Sequence, residues 1–129
     1  MKSIITVLVF AQMLSAQAFA GTYVCMAQES SEYKDAAIVF NAQTETLTQT
    51  SKDAIIEDGL EEALVDALNA TDVKVMTARC PHCYTISGTI MGAYELTLNI
   101  AGKSGNFKVD YGDSSSDAPN GELDCEFIK

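Results

Sequence analysis

Two cysteines held two residues apart, Cys80 and Cys83 in the stretch ARCPHCY, are the side chains of this sequence whose types and spacing bear most directly on chemistry. Thiols at that spacing close on each other, exchange with an external thiol, or contribute to a metal site. Exchange needs a thiolate, which forms readily at a helix N-terminus, where unpaired N–H groups and the helix dipole lower the cysteine pKa. In that chemistry Cys80 is the nucleophile and Cys83 the resolving thiol. A structural clip needs only a turn, and Pro81 with His82 suits its central positions. Cys80 and Cys83 then either close on each other or pair out to Cys25 and Cys125. A tetrahedral zinc site needs four ligands, and His82, the only histidine, lies between the two cysteines. No metal and no other cofactor is expected.

The string CPHCY resembles the active site of the DsbA family of periplasmic thiol-disulfide oxidoreductases, over five of the 129 residues. The resemblance implies a thioredoxin-type fold with a helix opening at the box and a cis-proline beside it. It also implies a reactive Cys80, a resolving Cys83, and Pro81 and His82 setting the potential. The residues after the box, YTISGTIMG, include four β-branched side chains and two glycines, which disfavour a helix. The only other proline is Pro119, and no βαβ order follows. Structural bridging is therefore the primary expectation, and thiol exchange through Cys80 and Cys83 the competing one.

The first twenty residues have the pattern of a cleaved export signal. Lys2 is followed by an apolar run over residues 4–14 (IITVLVFAQML) and by Ala18-Phe19-Ala20, a small-x-small site with cutting expected before Gly21. The apolar run is shorter than the roughly twenty residues that span a bilayer. The expected product is one domain, residues 21–129, periplasmic or secreted and with no membrane association after cleavage. Its four cysteines, Cys25, Cys80, Cys83 and Cys125, form an even set, as in a disulfide framework of an oxidising compartment. Four cysteines allow three pairings, which the sequence leaves open.

Without Lys2 the chain carries seven Lys/Arg against eighteen Asp/Glu, a net charge of 7 − 18 = −11. That excludes nucleic acid as a natural partner, because phosphate binding needs a basic footprint. It suits solubility, and it suits a cationic protein steered in by the field.

Hydrophobic periodicity supplies the elements. TYVCMA (residues 22–27), AAIVF (36–40) and ETLTQT (45–50) read as strands around polar turns. Over residues 53–69, Ile56, Leu60, Ala63, Leu64 and Ala67 form one stripe opposite Asp58, Glu61, Glu62 and Asp66, an amphipathic helix packed on a sheet. Ser51 or Asp53 caps a long version; Asp58 caps a shorter one starting near Gly59. Further strands are expected over residues 73–78, 84–90 and 94–100. Lys103-Ser104-Gly105-Asn106 is read as a turn, with Phe107, Val109 and Tyr111 as the inward side of its hairpin partner. A polar loop over residues 112–121 (GDSSSDAPNG) precedes a last strand whose inward face is Leu123, Cys125 and Phe127. The fold class is thus α+β: a small, mostly antiparallel, strongly curved or barrel-like sheet with one amphipathic helix, stapled by disulfides. Cys25 and Cys125 face inward on the first and last strands, so a bridge between them would close nearly the whole chain.

The remaining constellations are weaker. No carboxylate pair is singled out for acid–base work, and His82 lacks a nucleophile elbow. Asp110, Asp113 and Asp117 lack the spacing of a calcium loop. Asn69-Ala70-Thr71 matches a glycosylation sequon. Tyr23-Val24-Cys25, together with Ser87-Gly88 and Gly92-Ala93-Tyr94, is loosely similar to the periplasmic inhibitors of c-type lysozyme, which are small, acidic and disulfide-stapled. That resemblance implies a cationic target. The sequence therefore points to a non-enzymatic binding, inhibitor or structural module. Its expected contact regions are the 112–121 loop, with Asp113 and Asp117, and the turn bearing His82.

Overall fold

The computed structural model describes residues 20–112 and 119–129. The strands are β1 (Thr22–Ala27), β2 (Ala36–Asn41), β3 (Thr46–Ser51), β4 (Leu68–Asn69), β5 (Thr71–Thr77), β6 (Cys83–Ile90), β7 (Tyr94–Ala101), β8 (Ser104–Asp110) and β9 (Asn120–Ile128). Two short helices, α1 (Lys52–Asp58) and α2 (Leu60–Val65), lie between β3 and β4. All nine strands belong to one antiparallel sheet in the order β4-β3-β2-β1-β9-β8-β7-β6-β5. The two ends of that order, β4 and β5, are consecutive in the chain with Ala70 between them; its N–H donates to Leu47 O of β3 at 2.9 Å while its side chain lies against Gly88 of β6, so the sheet curls into a nearly closed barrel.

Where the sequence alternates, one face is buried. β7 buries Leu96, Leu98 and Ile100, and β8 buries Gly105, Phe107 and Val109. β1 and most of β2 are buried on both faces, which explains their unbroken apolar runs. Their inward residues join the barrel core, while Val24, Met26, Ala37 and Val39 meet Ile55, Leu60 and Ala63 of the helices on the outside.

Several expectations are corrected at this level. The amphipathic segment is two helices, because Gly59 adopts φ 87°, a conformation glycine tolerates and other residues rarely do. The break turns the first helix so that Ile55, not Ile56, is fully buried. Ser51 caps α1, its hydroxyl accepting from Ala54 N at 3.0 Å, and Gly59 sits at the N-cap of α2. The β7–β8 turn is Gly102-Lys103, with φ +67° at Gly102, and Ser104, Gly105 and Asn106 already pair in β8. β9 begins at Asn120, so the last two residues of the expected polar loop are strand.

Two glycines on the inward face permit close approaches. A Cβ on Gly88 would lie 2.7 Å from Ala70 Cβ, at the corner that joins the sheet's two ends. A Cβ on Gly105 would lie 2.5 Å from Asn99 O and 3.1 Å from Cys125 Sγ.

Candidate functional site

The four cysteines form two pairs at disulfide distance. Cys25 and Cys125 stand directly opposite in the β1–β9 register and point into the core, joining positions 100 residues apart. Cys80 and Cys83 close on each other across the β5–β6 connection, with Cα atoms 5.5 Å apart.

The Cys-Pro-His-Cys box is a turn. Ala78 N–H donates to Cys83 O at 3.0 Å, Pro81 and His82 occupy the bend, and strand β6 begins at Cys83. His82 takes φ +61°, and its carbonyl accepts from Gly102 N at 3.0 Å, which ties this turn to the neighbouring β7–β8 turn. No helix starts here, so the thiols lack the N-terminal dipole that a DsbA-like thiolate uses. The two sulfur-bearing residues also differ in access: Cys80 is exposed and Cys83 is buried. A shallow surface pocket of about 330 Å³ lies beside them, with Tyr84, Asn99, Asn106 and Glu122 in its wall.

His82 folds onto the end of the barrel. With the imidazole proton on Nε2, the Tyr23 hydroxyl donates to His82 Nδ1 across 2.6 Å. The imidazole also lies 4.7 Å from the Phe127 ring, and Tyr23 contacts Phe40, Tyr84 and Phe127 with centroids at 6.1, 5.4 and 4.6 Å. These five rings, brought from β1, β2, β6, β9 and the β5–β6 turn, plug this end of the barrel. Phe127, expected simply as a core residue, is 38 % exposed and forms the rim of the plug. The sequence hid the cluster because each ring belongs to a different strand end.

Burial raises the Tyr23 phenol above its ordinary pKa, and the adjacent Tyr84 hydroxyl adds to the shift. Folding therefore favours the protonated phenol. Its contribution to stability is complete below the unfolded value, about pH 10, and is lost as pH rises beyond it. Tyr23→Phe removes the hydrogen bond to His82 and should cost about 1 kcal/mol at pH 7. The same variant should show a shallower loss of stability between about pH 10 and pH 11 than the parent. Urea unfolding at stepped pH reads both effects.

Of the other residues singled out in the sequence, Asp113 and Asp117 lie outside the described residues. Asp110 is exposed at the end of β8, its carboxylate accepting from Gly112 N at 2.8 Å. No group of three or more His, Cys, Asp or Glu side chains suited to a metal ion occurs among the described residues. Every described Asp and Glu is exposed, and among the described residues only Glu29 forms a salt bridge, to Lys52 at 2.9 Å. Lys52 holds the Glu29 carboxyl below its ordinary pKa. Between Asp53 and Asp66 the helical segment carries six carboxylates, and neither helix has a basic residue in its last turn.

The comparisons add no relative: no protein-family model, curated protein or solved structure matches the chain.

Proposed function

We propose that this protein is an exported binding module, an inhibitor or a structural partner, that captures a cationic protein and catalyses no reaction of its own. The observation that carries this reading is the unneutralised acidic surface. The chain has a net charge of −10, and its described carboxylates are all exposed with one ion pair among them. Such a field accelerates encounter with a basic protein and disfavours acidic partners. The stapled barrel supplies a rigid scaffold on which exposed turns make contact, the His82 turn among them; the polar composition of residues 112–121 makes that stretch the other proposed contact region. The paired cysteines are consistent with an oxidising compartment.

Titration against a c-type lysozyme, with a neutral protein of similar size as control, tests the reading. Binding is expected to the basic protein alone, and to weaken about tenfold or more as NaCl rises from about 50 to 500 mM, over which range the Debye length falls well below the size of the interface. Binding that is indifferent to salt, or equal for the neutral control, overturns the electrostatic reading.

A second reading rests on the exposure of Cys80 at the hairpin tip. An external thiolate that attacks Cys80 Sγ forms a mixed disulfide and releases the Cys83 thiolate, which is the first half of an exchange cycle. This reading predicts that Cys80→Ala abolishes exchange and leaves the fold intact.

A further inference from the structure

On β1 and β2 the inward side chains become smaller from one end of the barrel to the other. β1 runs Tyr23, Cys25, Ala27 along its inner face, and β2 runs Phe40, Ile38, Ala36 in the same direction. The first end is filled by the aromatic plug. The second end holds a solvent-open cavity of about 230 Å³ whose wall includes Ala36, Gln49, Ile90, Tyr94, Phe107 and Val109. Ile90, Phe107 and Val109 are buried. The Tyr94 and Tyr111 rings meet edge to face at 4.9 Å beside the opening.

We infer that this barrel mouth is a binding site for a small neutral aromatic molecule of one or two rings bearing a hydrogen-bonding group. The site is separate from the charged exterior and does not depend on the cationic-partner reading. A sealed apolar cavity of roughly 150 Å³ takes up benzene, and this larger, solvent-open one has room for a slightly larger ring system with one edge toward water. Among the described residues no charged side chain lines the cavity, which favours a neutral ligand. Aromatic walls favour a flat ligand through offset and edge-to-face contacts. Gln49 supplies the polar contact. It lies two residues beyond buried Leu47 on the same face of β3, and its side chain has no hydrogen-bond partner among the described residues. Its amide can accept from a ring N–H or donate to a ring oxygen.

Indole is the probe. The chain has no tryptophan, so indole fluorescence can be followed without interference from the protein. Saturable binding with a Kd below about 1 mM is expected, with a rise in Tm at saturating indole. Ala36→Leu fills the cavity: its Tm without indole should equal or exceed the parent's, and indole should raise it no further. Gln49→Leu, at the solvent-reached rim, should weaken indole about tenfold and leave toluene binding unchanged, since toluene offers no hydrogen bond. Absence of saturable indole binding to the parent overturns the proposal, as does a folded Ala36→Leu that binds indole as the parent does. If Ala36→Leu does not fold, Gln49→Leu decides: equal losses for indole and toluene overturn the assigned polar contact.

Discussion

Replacing Cys25 and Cys125 together with alanine is expected to lower the unfolding free energy by about 4 kcal/mol, more than twice the loss expected from removing the Cys80–Cys83 pair. The bridge joins the first and last strands at directly opposed positions, 100 residues apart. In the chain-entropy model a loop of that length contributes about 4.7 kcal/mol, and residual structure in the unfolded chain reduces the figure. The Cys80–Cys83 pair closes a loop of sequence separation 3, for which the same model gives less than about 2 kcal/mol. Urea unfolding of the two double variants at pH 7 compares them directly. A smaller loss for Cys25/Cys125 than for Cys80/Cys83 would contradict the assignment of the long bridge as the principal staple.

Phe40→Ala is expected to cost about 3–5 kcal/mol, the range for truncating a buried aromatic with little room for collapse. Phe40 is fully buried and lies between Tyr23 and Tyr84, with ring centroids at 6.1 and 5.3 Å. Truncation removes the floor on which the other rings rest, including the Tyr23 that holds His82. Tyr111→Ala at the opposite mouth should cost less than about 1 kcal/mol, because that ring is 40 % exposed and its strand end is open. Equal losses at the two ends would mean that the barrel is not plugged at one end and open at the other. Thermal or urea unfolding of the two single variants reads the difference.

Much of this architecture is legible in the sequence where it depends on local pattern. The alternation of YELTLNI fixes the inner face of β7, and the same argument puts Cys25 and Cys125 on the inner faces of the two strands that meet. The runs TYVCMA and AAIVF, apolar without alternation, are the strands covered on both sides. The box reads as a turn because β-branched residues follow it, and β6 is the strand they form.

What the sequence conceals depends on single conformations or on distant pairings. Gly59 is compatible with a continuous helix, and only its φ of 87° splits the segment and brings Ile55 to the sheet. The start of β5 at Thr71 is masked by its polar composition and by the positive φ of Asp72, where the pairing with β6 shifts register. The aromatic plug draws on residues 23, 40, 82, 84 and 127, and no spacing in the chain relates them. The wall of the cavity at the other mouth combines Ala36, Gln49, Ile90, Tyr94 and Phe107 from five different strands, which share one space only when the sheet curls.

The central claim is that the protein binds and does not exchange disulfides. Its most direct test is disulfide mapping by mass spectrometry across glutathione buffers of stepped potential. The account predicts that the Cys25–Cys125 and Cys80–Cys83 bridges both persist below about −300 mV, as structural disulfides do. Opening of Cys80–Cys83 between about −120 and −200 mV, the range of oxidising exchange enzymes, would contradict it and move the function to the hairpin tip.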